Sequence, residues 1–548
     1  MRHAWPSVLE CHVRPFAPLA AAVLLALGLV TGSHAQQAGL PDIGSSAGEL
    51  LTPQEEREYG SYTLYQLRRY GYLLEDPLID GWLDSMGFRL AAASDRPEQE
   101  FTFFIMRDRQ INAFATLGGF IGVNAGTILT ARTEDEVAGV VAHEISHVTQ
   151  RHVLRSVERA KKDQIPIMLA TLGAIIAAQQ SDNRDADGNS TSGDAIQAAV
   201  IGGQALAMQR QINYTRSGES EADRIGIQTL YGAGYSPDGM ADFFERMSHA
   251  TRSNAGGYQM PDYLQTHPVS STRLSEARDR ASRLKQEKPS FTATGAVQPS
   301  LLLPWGMSAA SSHAAAGPER MFGWARERMR ILTAESPTVA LREAKAIVED
   351  RGAKASDPQR YGLALAHMRV GYPAAAEGVL QELVKAHPGN LWVGLALAEN
   401  ASVAKNEALS RKRYEELLAQ HPDDRAVSLS YAEILNSIGT ADAGKRAQAV
   451  LRPIMSVNGD NPLFQKNFGR ASELAGDLPR AGEAFAEAAY LNGRAEDALN
   501  QLNALLKRND ITYIQRARIE ARIAAITPEV MYMQRKKIKP QDLPPDQS

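Results

Sequence analysis

At 548 residues the chain is too long for one hydrophobic core, so two or more domains are expected. Its 44% hydrophobic and 22% charged residues are the composition of an ordinary soluble protein. With 59 basic against 63 acidic side chains, the net charge of −4 excludes the basic excess of a nucleic-acid-binding surface.

The first apolar run, Ala17 to Val30, follows Arg2 and Arg14 and precedes Ser33-His34-Ala35. It falls short of the about 20 residues that a membrane span needs. A charged start, a short apolar stretch and small residues at a cleavage point read as a signal peptide over residues 1–35, with an uncleaved anchor as the alternative. The single cysteine, Cys11, leaves with that segment. The mature chain then has no disulfide and no thiolate ligand or nucleophile. An exported protein of this size folds on its cores alone, and the Gram-negative periplasm is its expected compartment.

Residues 40–283 carry strand-like and helical segments in mixed order. Phe101 to Met106 and Gly119 to Asn124 are β-rich, with Asn112-Ala113-Phe114-Ala115 between them. That short segment is either an internal strand or an exposed edge. As an edge, Asn112, Ala113 and Phe114 would accept an extended substrate through backbone hydrogen bonds. From Glu134 the pattern is helical, with Val137, Val140, Val141, Ile145 and Val148 on one side.

Inside that helix stands His143-Glu144-Ile145-Ser146-His147. A spacing of four puts both imidazoles on one helix face, able to hold one Zn²⁺. Glu144, one step round, can reach a water there as general base. Two surface histidines on an amphipathic helix are the bland alternative. A catalytic zinc needs a third protein ligand. His152 lies about 140° round the helix from His147 and is expected to face solvent or a loop. With no cysteine available, a carboxylate is the natural choice.

An apolar stretch from Ile165 to Ala178, a polar loop and the Ala-rich Ala195 to Met208 follow. They are expected to form a helical hairpin that lids the cleft or touches a membrane-embedded client, with burial against the domain core as the default. Glu219-Ser220-Glu221-Ala222-Asp223 is expected to open a helix running to Leu230. Glu219 and Asp223 share a face, and Glu221 points away. One carboxylate can bind metal while Asp223 orients a ligand or handles a proton; the bland alternative is an acidic first turn that complements the helix dipole. His267 is a loop histidine before Pro268, and Arg273 fits either a substrate contact or a surface ion pair.

Residues 284–318 are rich in Pro, Ser, Gly and Ala and read as a linker. From 319 to 527 helix follows helix with a repeat: Pro388 and Pro422 are 34 apart, and Gly371, Lys405 and Gly439 keep the same period. Thirty-four residues is the tetratricopeptide period, and such an array offers a concave surface to another protein. A disordered tail is expected over 528–548.

The stretches Leu40 to Gly44, Asn112-Ala113-Phe114, Ala142 to His152, Glu219 to Gly226 and Thr266-His267-Pro268 together resemble the BepA-like periplasmic zinc metalloproteases. These are HtpX-related gluzincins with C-terminal tetratricopeptide repeats. The likeness is strong over 40–280 and architectural beyond about 320. It implies an α+β, mostly α fold: a zincin-type metalloprotease domain followed by an α-helical tetratricopeptide solenoid. It also implies one Zn²⁺ per chain, with His143, His147 and Glu219 as ligands, Glu144 activating water and Asp223 as a proton donor. His267 would fill the fourth zinc position and hold the enzyme inactive.

The implied role is an endopeptidase in the assembly and quality control of outer-membrane β-barrel proteins. Its clients would be unfolded or misassembled outer-membrane proteins, and its repeats would meet the β-barrel assembly machinery. A peripheral membrane contact is compatible with this; nucleic acid is not. The alternative is a non-proteolytic assembly chaperone with a structural metal site. Glu144 speaks against it, because a purely structural zinc needs no base.

Overall fold

The structure is a computed structural model and describes residues 51–159, 191–253, 263, 267–286 and 319–535. The expected signal segment, the apolar stretch at 165–178 and most of the linker lie outside those residues. The described chain is mostly helical with one four-stranded sheet, as the expected fold class requires.

Helix α1 (Pro53–Arg69) starts on a capping box: the Thr52 side chain accepts from the Glu55 N–H, and Glu55 returns a bond to the Thr52 N–H. Strand β1 (Leu73–Leu74) leads into α2 (Pro77–Ala92), whose N-terminal N–H at Ile79 is capped by Asp76. Next come β2 (Thr102–Met106), β3 (Ala113–Ala115) and β4 (Phe120–Asn124). The sheet order is β1-β2-β4-β3, with β2 and β4 parallel and the other pairs antiparallel. Side chains alternate across it. Phe103, Ile105, Ile121 and Val123 enter the main core beneath α2, while Phe104 and Phe120 pack on Leu64 of α1.

After the short α3 (Ala125–Thr130), helix α4 (Glu134–Thr149) begins on the Thr133 cap with three acidic residues in its first turn. It is buried on nearly every side, wedged between α5 (Thr191–Gly232) and α6 (Asp238–Ser253). Gly139 makes the α6 contact close: a Cβ there would lie 2.8 Å from the Met240 nitrogen. Helix α5 runs 42 residues, so Glu219 lies mid-helix and does not open one, contrary to expectation. No proline interrupts the Ala- and Gln-containing segment before it, and an acidic first turn no longer accounts for these carboxylates. Helix α7 (Ser271–Gln286) packs on α5 and α6.

From α8 (Glu319–Leu332) and α9 (Pro337–Arg351) onward the chain is a row of helix pairs. The pairs are α10 (Asp357–Arg369) with α11 (Pro373–Ala386), α12 (Leu391–Val403) with α13 (Glu407–Gln420), α14 (Arg425–Ile438) with α15 (Ala441–Leu451), and α16 (Pro462–Leu474) with α17 (Leu478–Leu491). Each pair turns on one left-handed residue: Gly371, Lys405, Gly439 and Gly476 all have φ between 59° and 83°. The 34-residue spacing in the sequence is thus the spacing of these turns. A 3₁₀ turn at Met455–Val457 takes up the extra residues before α16.

Helices α18 (Ala495–Leu506) and α19 (Tyr513–Arg535) end the array. Helix α19 continues through Pro528, where a disordered tail was expected, to Arg535. Val530 packs with Ile526 and Leu502, so burial outweighs the hydrogen bond lost at the proline.

The array is in contact with the sheet-containing part. Arg328 of α8 donates to both Asp76 oxygens and, more weakly, to Glu399 of α12. Arg109 pairs with Glu343 of α9, and Arg425 of α14 with Asp84 of α2. Trp82 and Phe322 share one apolar core across that contact.

Candidate metal centre

Four side chains from three segments converge where α4 crosses α5. His143 and His147 come from α4, Glu219 from α5, and His267 from the segment before α7. The crossing is close because Gly226 sits over the His143 backbone: a Cβ at Gly226 would lie 3.2 Å from the His143 Cα.

The His143 and His147 Nε2 atoms are 3.0 Å apart, and His267 Nδ1 is 3.4 Å from His143 Nε2. The Glu219 oxygens lie 3.0 Å from His267 Nδ1 and 3.4 Å from each of the other two imidazoles. A metal bonded at about 2.0–2.1 Å to four tetrahedral donors spaces them by about 3.3 Å. The donor set therefore fits a four-coordinate metal ion in both chemistry and spacing. Glu221 and Asp223 are not in that set: Asp223 stands behind His143, and Glu221 behind His152.

His143 Nδ1 lies 3.0 Å from an Asp223 oxygen, and Arg273 grips the same carboxylate through two bonds of 2.7 Å. Burial pushes the Asp223 carboxyl up, but Arg273 and His143 outweigh it and hold the group below the usual carboxylate range. Glu219 behaves likewise, lowered by His143 and His267 against the same burial penalty. Burial would lower His143 as well; the two carboxylates prevail and raise it to about 10, so a metal must compete with a proton for its lone pair. His147 is driven well below its ordinary value by burial and by His143. It is neutral, the form that ligates.

Glu144 is buried beside this cluster. One of its oxygens has no hydrogen-bond partner and lies 3.7 Å from His267 Nε2. Arg273, left open by the sequence, is buried: it bonds Asp223, Glu219 and the Pro268 carbonyl and lies over the Phe244 ring.

His152 departs from expectation. It is buried, with Nδ1 2.9 Å from His147 Nδ1 and Nε2 3.0 Å from Glu221. Helix α4 ends at Thr149, and Arg151 takes a left-handed φ of 53° that turns the chain back. Continuing the α4 helix in projection therefore sends His152 the wrong way. A left-handed arginine leaves no mark in the sequence.

Asn112 precedes β3, an edge strand of the sheet. Asn112 O accepts from Asn124 N and Thr116 N donates to Phe120 O, so even-numbered residues bond β4 and odd-numbered ones turn outward. Ile111 O, on that outward side, accepts from Tyr263 N, and Tyr263 stacks on His267. Tyr263, four residues before His267, is thus bonded to the outward side of that edge.

The sequence pattern of peptidase family M48 matches residues 77–281, which contain every group just described. The chain is 30% identical to the β-barrel assembly-enhancing protease of Escherichia coli over 511 residues, 91% of this chain and 93% of that one. It is 39% identical over 242 residues to a putative β-barrel assembly-enhancing protease of Vibrio cholerae, 44% of this chain and 47% of the relative. The Escherichia coli metalloprotease LoiP is 25% identical over 185 residues, 34% of this chain and 64% of LoiP.

Proposed function

This chain belongs to peptidase family M48, among the β-barrel assembly-enhancing proteases, and from that premise we propose a zinc endopeptidase acting on outer-membrane β-barrel proteins in the periplasm. The convergence of His143, His147 and Glu219 beside the buried, half-unpaired Glu144 is the observation that carries the reading. Zinc bound by these residues supplies Lewis-acid chemistry, acidifying a water and polarising the scissile carbonyl. Two imidazoles and one carboxylate are a donor set found at catalytic zinc sites.

Glu144 takes the proton of the attacking water and returns it to the leaving amine. Asp223, held by Arg273, lies 3.0 Å from His143 Nδ1, where its charge orients the ring with Nε2 toward the cluster. Of the two roles open to Asp223 the contacts favour orientation, since Arg273 grips both of its oxygens and one of them lies 3.0 Å from His143 Nδ1. Asn112 and Phe114 fix the edge by pairing with β4, and the half-buried Ala115 turns its backbone groups to the other side, where an extended client can add as a strand; Ala113 is fully buried. His267 fills the fourth ligand position in the resting enzyme and must leave for substrate to enter. The helix pairs from 319 on are read as tetratricopeptide repeats that meet the assembly machinery or the client. Among the described residues no helix is long and apolar enough to cross a membrane, which accords with a periplasmic protein that touches the membrane at most peripherally.

Digestion of casein and of an unfolded β-barrel protein tests the proposal. Glu144→Gln should keep about one zinc per chain and lose cleavage by at least about a hundredfold, because glutamine cannot accept the water's proton. A chelator should abolish wild-type cleavage and added zinc restore it. Undiminished cleavage by the variant would rule out Glu144 as base; zinc binding without any cleavage by the wild type would favour the chaperone reading.

A further inference from the structure

We infer that His152 is a positioning residue for the metal ligand His147, anchored at its far side by Glu221. The inference rests on the metal-site reading above. The two imidazoles meet nearly edge to face, ring centroids 4.7 Å apart at 77°, with both Nδ1 atoms 2.9 Å from one another. Two ring nitrogens at that distance share one proton, so one donates and the other accepts.

His147 turns Nε2 to the cluster as a ligand lone pair, which puts its proton on Nδ1. It therefore donates to His152 Nδ1. The His152 proton is then on Nε2, where it faces the Glu221 oxygen at 3.0 Å. Arg155 donates to that same oxygen at 3.0 Å. Every donor in the chain has one acceptor and every acceptor one donor or more.

His143 has a related arrangement with one member fewer: an Asp223 oxygen lies 3.0 Å from its Nδ1 as an ion-pair contact, and Asp223 is held by Arg273. Each histidine of the motif thus ends on a carboxylate from α5 that an arginine holds. Residues 219 to 223 serve both ends of the pair: Glu219 as ligand, Asp223 behind His143, and Glu221 behind His147 through His152. The left-handed turn at Arg151, a conformation that side-chain residues rarely adopt, places His152 in line.

The test uses the full-length protein loaded with Zn²⁺ or Co²⁺ alone. Zinc affinity is measured by chelator competition. The shifted, exchangeable imidazole N–H protons are followed by NMR of the cobalt form, and the melting temperature is taken without metal. His152→Leu should weaken zinc binding by about 10- to 100-fold and lose one shifted N–H resonance, that of His147, while the His143 resonance persists. Glu221→Leu should fall between His152→Leu and wild type. His152→Gln, whose amide can accept from His147 and donate to Glu221, should recover most of the affinity and the resonance.

Wild-type affinity and an intact resonance in His152→Leu would overturn the inference. So would a glutamine variant no better than the leucine one, since that marks a role in folding only. If His152→Leu also melts lower without metal, recovery of zinc affinity by glutamine still decides for positioning. Should wild type hold no zinc, or His147→Ala lose none, the metal-site reading fails instead.

Discussion

His267 touches both halves of the proposed chemistry, with Nδ1 among the candidate ligand atoms and Nε2 toward Glu144. An imidazole in that place competes with substrate, and a closed state favoured by about 2 kcal/mol hides all but a few per cent of the open form. His267→Ala should therefore raise basal proteolysis about tenfold or more at unchanged zinc content, and adding Glu144→Gln should cancel the gain. Unchanged cleavage at full zinc content would make His267 a loop residue without a switching role.

A second residue acts through pH. Burial raises the Glu134 carboxyl from 4.5 to about 7, against donors from Trp82 and Tyr235. The folded state binds that proton more tightly than the unfolded one. Its contribution is full below pH 4.5 and is lost as pH rises through 7, at about 1.4 kcal/mol per tenfold, or roughly 3 kcal/mol in all. Glu134→Gln keeps an acceptor for Trp82 and should be more stable than wild type at pH 8 by about 1–3 kcal/mol. The difference in urea unfolding should shrink toward pH 4.5; a pH-independent difference would refute the assignment.

Among the elements, α4 carries most of the site and its packing decides the sign of a simple substitution. Alanine is better than glycine in a helix by about 1 kcal/mol, which alone recommends Gly139→Ala. The Met240 nitrogen 2.8 Å from the new Cβ opposes it, since backbone cannot give way as a flexible side chain does. Overpacking of this kind costs about 1–3 kcal/mol. Gly139→Ala should accordingly destabilise by about 0.5–2 kcal/mol in urea unfolding. A stabilised variant would mean that α6 yields freely at that contact.

At the scale of the molecule, the metal-site part and the helical array meet through buried charge. Arg328 neutralises Asp76 and Glu399, and Asp76 also caps α2. Replacing both members of such a cluster is tolerated far better than removing one, because a lone buried carboxylate keeps its full desolvation cost. Arg328→Met should cost about 3–5 kcal/mol. Adding Asp76→Asn, which still caps α2, should return part of that loss, and a purely additive double variant would show the charges to be solvated.

The pairing of His143 with His147, and of Glu219 with Asp223, was legible in the sequence because helical spacing is local: four residues bring a side chain back to the same face whatever surrounds it. The repeat was legible for the same reason, since each helix pair must turn at a fixed residue, and Gly371, Lys405 and Gly439 carry that period. A loop histidine has no such spacing, so His267 entered only through family resemblance. Geometry that depends on a chain reversal was not legible at all. His152 was misplaced because one left-handed arginine ends α4, and Glu219 was read as a helix start because nothing in its own turn shows the 28 helical residues before it. That Glu219 joins the candidate ligand cluster while Asp223 lies beside His143 and Glu221 beside His152 was decided where α4 and α5 cross, by contacts between residues more than 60 positions apart in the chain. Sequence pattern fixes a side chain's direction within its own helix, but only tertiary packing brings two helices to a distance at which their groups share a proton or an ion.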